Sequence, residues 1–149
     1  MTYGTVAAGK VAVIDGHTNT VVATTAVGAD AAGVAVNPQT NTGYVTNGVN
    51  PGTVSVISGR TNTVTATVPV GQLPHGIAVN PASSTVYAVN EGIGTGTLSV
   101  INGRTNAVTA TTPVGANPME AAVNTKTGTV YVTNTVIPGT VSVVTPCRT

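Results

Sequence analysis

The chain repeats one stretch three times, and the middle copy, residues 54–97, reads VSVISGRTNTVTATVPVGQLPHGIAVNPASSTVYAVNEGIGTGT. The other copies run from Val11 to Thr53 and from Leu98 to Thr140, so the period is 43 or 44 residues. A period of this length, made of short runs rich in β-branched residues, is typical of one blade of a β-propeller. Because such a unit buries its faces only against neighbouring copies, the repeat predicts a fold that depends on stacking.

Each copy divides into four predicted strands. In the second blade these cover residues 76–80, 85–90, 97–101 and 107–112, with turn residues such as Asn, Gly and Pro between them. Apolar residues alternate with Thr or Ser in steps of two, and helical spacing is not sustained. The first strand is built from small residues and the second carries Tyr44, Tyr87 or Tyr131, a size gradient that fits a wedge-shaped blade. The sequence therefore predicts an all-β fold, a β-propeller built from four-stranded antiparallel blades.

The chain holds about three blades' worth of sequence. We predict a single domain with a partial blade over 1–28, blades over 29–71 and 72–115, a partial blade over 116–145 and a tail over 146–149. Closed propellers use about four to eight blades. Two alternatives stay open. The chain is an open arc from a longer propeller, or it is completed by self-association, in which the outer N-terminal strand of one copy completes the C-terminal blade of another and a homodimer closes a six-bladed ring.

Charge and hydropathy exclude several classes of partner. Charged residues make up 6% of the chain, aromatic residues 3%, and the net charge is +1. Nucleic-acid binding requires clustered cations or exposed aromatic rings, so we expect no nucleic-acid partner. No apolar run approaches about 18 residues, and we expect no membrane span. Residues 1–20 lack a charged start followed by an apolar stretch, which predicts no signal peptide in this chain.

The single cysteine, Cys147, lies two residues before the last residue of the sequence. It has no partner for an intramolecular disulfide, and no His or second Cys stands at metal-ligand spacing from it. We interpret it as a tail thiol without a role. The sequence predicts no metal site and no cofactor.

The candidate site is the rim of the central channel. Ligands of propellers usually lie over the channel, against the loops that lead into the first strands and those that join the second to the third. The leading loops diverge between copies and carry Asp30, His75, Met119 and Glu120, and Glu91 begins the loop over 91–96. Divergent loops on a repeated scaffold are where function is most often found. We predict these five residues as ligand contacts, with no catalytic residue assigned.

An enzyme is the alternative interpretation of the same rim. A histidine and two carboxylates supply general acid–base chemistry, which predicts a lyase or hydrolase centred on His75, Glu91 and Glu120. In that case His75 is the base and Glu120 its electrostatic partner. The sequence shows no nucleophile elbow, phosphate loop or dinucleotide fingerprint, and we favour the non-catalytic interpretation.

Recurring polar residues have simpler explanations. His17 stands in a turn where the other copies carry Arg60 and Arg104, so we expect it to face solvent. Two sets of asparagines end the first and second strands of each copy, and we expect their side chains to bond nearby backbone. The first set is Asn37, Asn80 and Asn124, and the second is Asn47, Asn90 and Asn134.

Two copies end their second strand in the letters YVTN, at 44–47 and 131–134, and the middle copy has the altered form YAVN at 87–90. Together with the V-S-V-I, T-N-T-V and P-x-G-x-A-V-N-P segments, these motifs resemble the YVTN-type β-propeller repeats of surface-layer and related extracytoplasmic proteins. The resemblance covers Val11 to Val144. It implies a binding or structural scaffold at the cell surface or outside the cell, with a protein or a cell-envelope component as partner.

Overall fold

The computed structural model describes residues 7–92 and 94–146, and within them the chain is all β. Thirteen strands and no helix are found in these two ranges, so none of the described segments is a long apolar helix of the kind that crosses a bilayer. Cys147 lies outside the described residues. In chain order the strands are β1 Ala8–Asp15, β2 Thr20–Ala29, β3 Ala31–Asn37, β4 Thr42–Asn47, β5 Thr53–Ser58, β6 Thr63–Pro69, β7 Pro74–Asn80, β8 Thr85–Asn90, β9 Thr97–Asn102, β10 Ala107–Pro113, β11 Pro118–Val123, β12 Val130–Asn134 and β13 Thr140–Val144.

The strands form four antiparallel sheets in which neighbours in sequence are neighbours in space. Two complete blades, β3 to β6 and β7 to β10, lie between a two-stranded sheet, β1 with β2, and a three-stranded sheet, β11 to β13. The first strands of successive sheets are in contact, β3 with β7 and β7 with β11. The predicted fold class is confirmed: this is a β-propeller architecture of four-stranded antiparallel blades.

We number the strands of a blade from one to four by their place in the repeat. Strands β3, β7 and β11 take position one, and β4, β8 and β12 take position two. Strands β1, β5, β9 and β13 take position three, and β2, β6 and β10 take position four. The two-stranded sheet therefore holds positions three and four, and the three-stranded sheet holds positions one to three.

The strand boundaries match the sequence prediction with small extensions. Strand β7 begins at Pro74, two residues earlier than predicted, because Pro74 already lies opposite Asn90 across a register shift. Strands β9 and β10 each extend one residue further than predicted, to Asn102 and Pro113. The proline is tolerated as the last residue of an outer strand, where one edge has no ladder partner.

Packing between blades forms the hydrophobic core. Each blade has a forward face, toward the next blade in the chain, and a rear face, toward the previous one. The forward face of the first complete blade presents the buried side chains of Tyr44, Val54 and Val56. They pack against the rear face of the next blade, formed by Ile77, Val79, Val86, Ala88 and Ile101. The second blade repeats the arrangement, with Tyr87, Val89 and Leu98 against Val130 and Val132.

The first set of asparagines shapes the turn after each first strand. The side-chain Oδ1 of Asn37 accepts a hydrogen bond from the backbone N–H of Gln39 at 3.0 Å, and that of Asn80 accepts one from Ala82 at 3.2 Å. Asn124 does the same at the third turn. The expectation of bonds to nearby backbone is confirmed for this set.

The second set bonds to different partners from those expected. Asn90 donates from Nδ2 to the hydroxyl of Thr97 at 3.0 Å and to that of Ser99 at 2.9 Å. Asn90 lies directly opposite Thr97 on the neighbouring strand, so its amide reaches hydroxyls across the sheet and not its own backbone. We call this arrangement the asparagine bridge. It recurs as Asn47 with Thr53 and Ser55, and as Asn134 with Thr140 and Ser142.

Candidate functional site

The rim forms where each first strand begins and each second strand ends. The two strands are antiparallel, so these points are adjacent in every blade. The residue that turns the leading loop has a positive φ in each copy, at 55° for Asp30, 50° for Leu73 and 49° for Asn117. Its carbonyl accepts a hydrogen bond from the residue that follows the second strand, respectively Gly48, Glu91 and Thr135. Three loops of one backbone geometry therefore display different side chains.

The middle loop brings two predicted residues into contact. The Nε2 atom of His75 lies 2.9 Å from Oε2 of Glu91, and both side chains are about one-third exposed, at 33%. The contact follows from the register. Pro74 pairs with Asn90, and His75 and Glu91 are the residues that come next in the sequence, so they lie close together at the rim. The sequence placed both residues on the rim but did not reveal their pairing.

The backbone of His75 is fixed by the preceding blade. Thr46, which is fully buried, donates its hydroxyl hydrogen bond to the carbonyl oxygen of His75 at 2.5 Å. Gly33 packs at the same place, where an added Cβ would clash with that oxygen. A residue whose backbone is held in this way needs little backbone reordering when a ligand approaches, which lowers the entropic cost of binding.

Glu120 and Met119 lie on the blade that follows. Glu120 is exposed and Met119 is half-buried, and a Cβ built on Gly76 would stand 2.8 Å from the Glu120 carboxylate. Glu120 is thus next to the backbone that follows His75. Within the described residues, however, His75–Glu91 is the only contact that the structure shows between a basic and an acidic side chain.

Asp30 is exposed one blade before His75, and its carboxylate lies over Gly48. The structure therefore pairs two of the five predicted residues, sets a third beside them and leaves the other two along the rim. Their role as ligand contacts stays a prediction. The described part of the chain brings no three His, Cys, Asp or Glu side chains into a group that would hold a metal ion.

The His75–Glu91 pair has defined chemistry. The carboxylate engages Nε2, which leaves Nδ1 of the imidazole as the nitrogen free to exchange a proton or a hydrogen bond with a ligand. A carboxylate that orients a histidine in this way suits a general base. The same pair also suits a polar ligand contact, which requires no reaction.

His17, in contrast, faces solvent as expected, and its backbone N–H donates to the Asp15 carboxylate at 2.7 Å. It lies in the turn between positions three and four, at the opposite end of the blade from the rim. No functional role follows from its surroundings.

A second candidate surface is the forward face of the three-stranded sheet, which sequence reasoning did not identify by residue. Tyr44 is 1% exposed, whereas Tyr131, at the matching position, is 44% exposed. Val54 is 0% exposed, whereas its counterpart Val141 is 56% exposed. Val143 is similarly uncovered. We call this surface, formed by Tyr131, Val141 and Val143, the C-terminal face.

The rear face of the first complete blade is open at its inner half. Val34 and Val36 are more than half exposed, although their counterparts Ile77 and Val79 are buried. Strands β1 and β2 cover only the outer half of this rear face, where Val27 packs on Val45 and Ile57. The uncovered half is an apolar groove of about 330 Å³, which we call the N-terminal groove. Its apolar lining includes Val11, Val13, Ile14, Val34, Val36 and Ile57.

Comparison with known protein families gives no matching family model, and no curated protein matches the chain. Among solved structures the chain is similar to hydrazine synthase of Kuenenia stuttgartiensis, with a TM-score of 0.50 and 15% identity, over 89% of this chain and 58% of that one. It is also similar to a functionally unknown protein from Desulfotomaculum acetoxidans DSM 771, with a TM-score of 0.40 and 16% identity, over 84% of this chain and 58% of that one. The chain spans less than two-thirds of either structure. At this identity the hydrazine synthase likeness supports the β-propeller fold alone.

Proposed function

We propose that this chain is a non-catalytic β-propeller repeat module that acts as a binding or structural scaffold. The observation that supports it most directly is the exposure of apolar blade faces at both ends of the arc. Inside the chain the same residue types, in the same positions, hold one blade against the next. Contiguous exposed apolar surface of this kind marks a site of protein interaction. Within the described residues, both end faces therefore present surface that a partner or a further blade would cover.

The proposal extends to family and compartment. The YVTN-like motifs suggest membership of the surface-layer type of repeat, an extracytoplasmic location, and a protein or cell-envelope component as partner. One structural feature is consistent with the motif being scaffold. Its asparagine, as in Asn47 and Asn134, is buried in a hydrogen-bonded bridge inside the sheet and is not offered to a ligand.

Co-sedimentation with isolated cell-envelope fragments tests this function. We expect the wild-type chain and a His75→Ala/Glu120→Ala variant to bind equally, because neither side chain belongs to the end faces. Val141→Asp should weaken binding at least tenfold, since it places a charge on the C-terminal face and disrupts either direct docking of the envelope component or a contact between copies on which that docking depends. Thr111→Asp, on an exposed outer strand of a complete blade, is the matched control and should bind as wild type. Binding that depends on His75 and Glu120 and ignores Val141 would contradict the proposal.

A lyase- or hydrolase-like enzyme is the second candidate, and the 2.9 Å contact between His75 and Glu91 favours it. In that case His75 acts as base, Glu91 orients it, and Glu120 stabilises charge from the next blade. Turnover of an ester or sugar-acid substrate panel that disappears in His75→Ala and Glu120→Ala would support the enzyme. Elemental analysis of the purified chain adds a second readout, because a stoichiometric divalent ion lost in the same variants would point the same way.

A further inference from the structure

We propose that the partner at both ends of the arc is a second copy of this chain, and that strand β13 of one copy replaces strand β1 beside β2 of the other. The inference rests on the scaffold function proposed above and deepens it by naming the partner. Each end of one copy then meets the opposite end of the other copy. The two contacts are then equivalent and are related by the two-fold axis of the dimer, so no end is left open.

The two end sheets contain complementary sets of strands. The first sheet holds positions three and four, and the last holds positions one, two and three. The N-terminal groove lies where strands at positions one and two would cover Val34 and Val36. Strands β11 and β12 of a second copy are strands of that type. The sheet β11-β12-β13 followed by β2 of the other copy makes one complete four-stranded blade.

The faces brought together by this exchange match the interfaces inside the chain. Tyr131, Val141 and Val143 would pack on the rear face that includes Val34 and Val36. The internal counterpart is Tyr44, Val54 and Val56 against Ile77 and Val79, where all of these side chains are buried. An aromatic ring and two β-branched side chains therefore meet a β-branched pair at both interfaces.

Position three can be filled by only one strand, and the asparagine bridge determines which strand stays. Asn134 of β12 donates to the hydroxyls of Thr140 and Ser142 on β13, at 3.1 and 3.0 Å. Strand β1 carries Lys10 and Ala12 at these two positions and has no hydroxyl to offer. If β1 displaced β13, the buried amide of Asn134 would lose both acceptors, which is unfavourable. Strand β13 is therefore kept, and β1 is released.

Strand β2 is already shaped to receive β13. Strands β5 and β6 carry a register shift at Val56 and Ile57. Strands β1 and β2 carry the same shift at the matching place, between Val13 and Ile14. Replacing β1 by β13 in the same register sets Val143 opposite Ala23. Strand β2 keeps the bulge of a fourth strand whichever third strand lies beside it.

The stoichiometry follows from the blade count. Each copy contributes its two complete blades, and each exchange adds one completed blade. Counting only the described strands, two copies give six blades, within the range of about four to eight that closed propellers use, and three copies give nine, which is outside it. The expected assembly is a dimer with a closed central channel, onto which the rim carrying His75 faces.

Two disulfide variants of the full chain test the exchange, both made with Cys147→Ser so that no other thiol interferes. Val13→Cys with Ala23→Cys pairs residues that lie opposite each other in the β1–β2 ladder. Val143→Cys with Ala23→Cys pairs residues that would lie opposite each other only after exchange. Directly opposed residues in antiparallel strands have Cα atoms about 4.5 to 5.5 Å apart, which suits a disulfide. Val143→Cys with Thr24→Cys is the register control, since Thr24 points to the other face.

The readouts are light-scattering mass and non-reducing electrophoresis over a concentration series. We expect a wild-type dimer, a covalent dimer from Val143→Cys/Ala23→Cys, and much less from the register control. Oxidised Val13→Cys/Ala23→Cys should be held as a monomer, and reduction should restore the dimer. A wild-type monomer at all concentrations would overturn the inference. A dimer that persists when β1 is locked to β2 would also overturn it, since association would then not use β2.

Failure of this inference and failure of the scaffold function give different results. If the chain is monomeric but still binds envelope fragments through Val141, the scaffold function stands and its partner is another molecule. If the chain dimerises by exchange but binds no envelope and turns over a substrate through His75, the scaffold function fails and the assembly stands.

Discussion

Removing the asparagine of one bridge should destabilise the protein more than removing an exposed asparagine that makes the same number of hydrogen bonds. Asn90 is fully buried, and its Nδ2 group makes both hydrogen bonds of the bridge, at 3.0 and 2.9 Å. The Asn90→Ala substitution removes both bonds, at a net cost of about 0.5–1.5 kcal/mol each. The void left in a closed interior adds about 1 kcal/mol. We therefore expect a loss of about 2–4 kcal/mol in the free energy of unfolding.

Urea denaturation followed by circular dichroism measures this loss, and Asn124→Ala is the matched control. Asn124 makes two hydrogen bonds as well, accepting from the N–H groups of Lys126 and Thr127 at 3.0 and 3.3 Å. Its side chain is exposed, so water replaces it, and we expect a loss below about 1 kcal/mol. An Asn90→Ala variant that loses no more than Asn124→Ala, with an unchanged urea m-value, would refute the structural role of the bridge.

Three further outcomes follow from the packing and the charges. Gly76→Ala should destabilise the fold by about 1–3 kcal/mol in urea melts, because its Cβ would stand 2.5 Å from a backbone carbonyl oxygen of the next blade. The control is Gly16→Ala, whose Cβ would stand in open space and which should be neutral. Burial raises the pKa of Tyr44 and Tyr87 above 10.0, so the stability that they contribute is present below pH 10 and is lost as the pH rises through the raised pKa. The melting temperature should therefore fall above pH 10, and less steeply in Tyr44→Phe. His75→Gln removes a partly exposed contact between an imidazole and a carboxylate and should change the free energy of unfolding by less than about 1 kcal/mol, with no change in overall circular dichroism.

Much of the fold could be predicted because the sequence pattern of one blade occurs three times. A strand boundary that is ambiguous in one copy becomes clear when Tyr44, Tyr87 and Tyr131 fall at the same place. The alternation of apolar residues with Thr or Ser then fixes which side chains share a face. Those two signals suffice for the strand order within a blade, because neighbours in the sequence are neighbours in the sheet.

The partners of individual side chains could not be predicted in the same way. The sequence predicts that the amide of Asn90 bonds nearby backbone, but the register sets it opposite Thr97, and hydrogen-bond register is not visible in a single strand. The contact between His75 and Glu91 was missed for the same reason. One signal was available: His75 directly precedes the predicted strand over 76–80 and Glu91 directly follows the predicted strand over 85–90, and antiparallel neighbours bring these two ends to the same edge of the sheet.

The main support for the scaffold function is that the exposed faces are made of the same residue types that form the core between blades. Val54 and Val141 are both valines at the same repeat position, yet Val54 is buried and Val141 is exposed to solvent. Local sequence therefore does not decide which of the two is core, and the presence of a following blade does. The face that packs against the next blade inside the chain has the same chemistry in the three-stranded sheet, where no described blade covers it. In this repeat, the residue types that hold one blade against the next are therefore the same ones that lie exposed on the end faces of the described sheets.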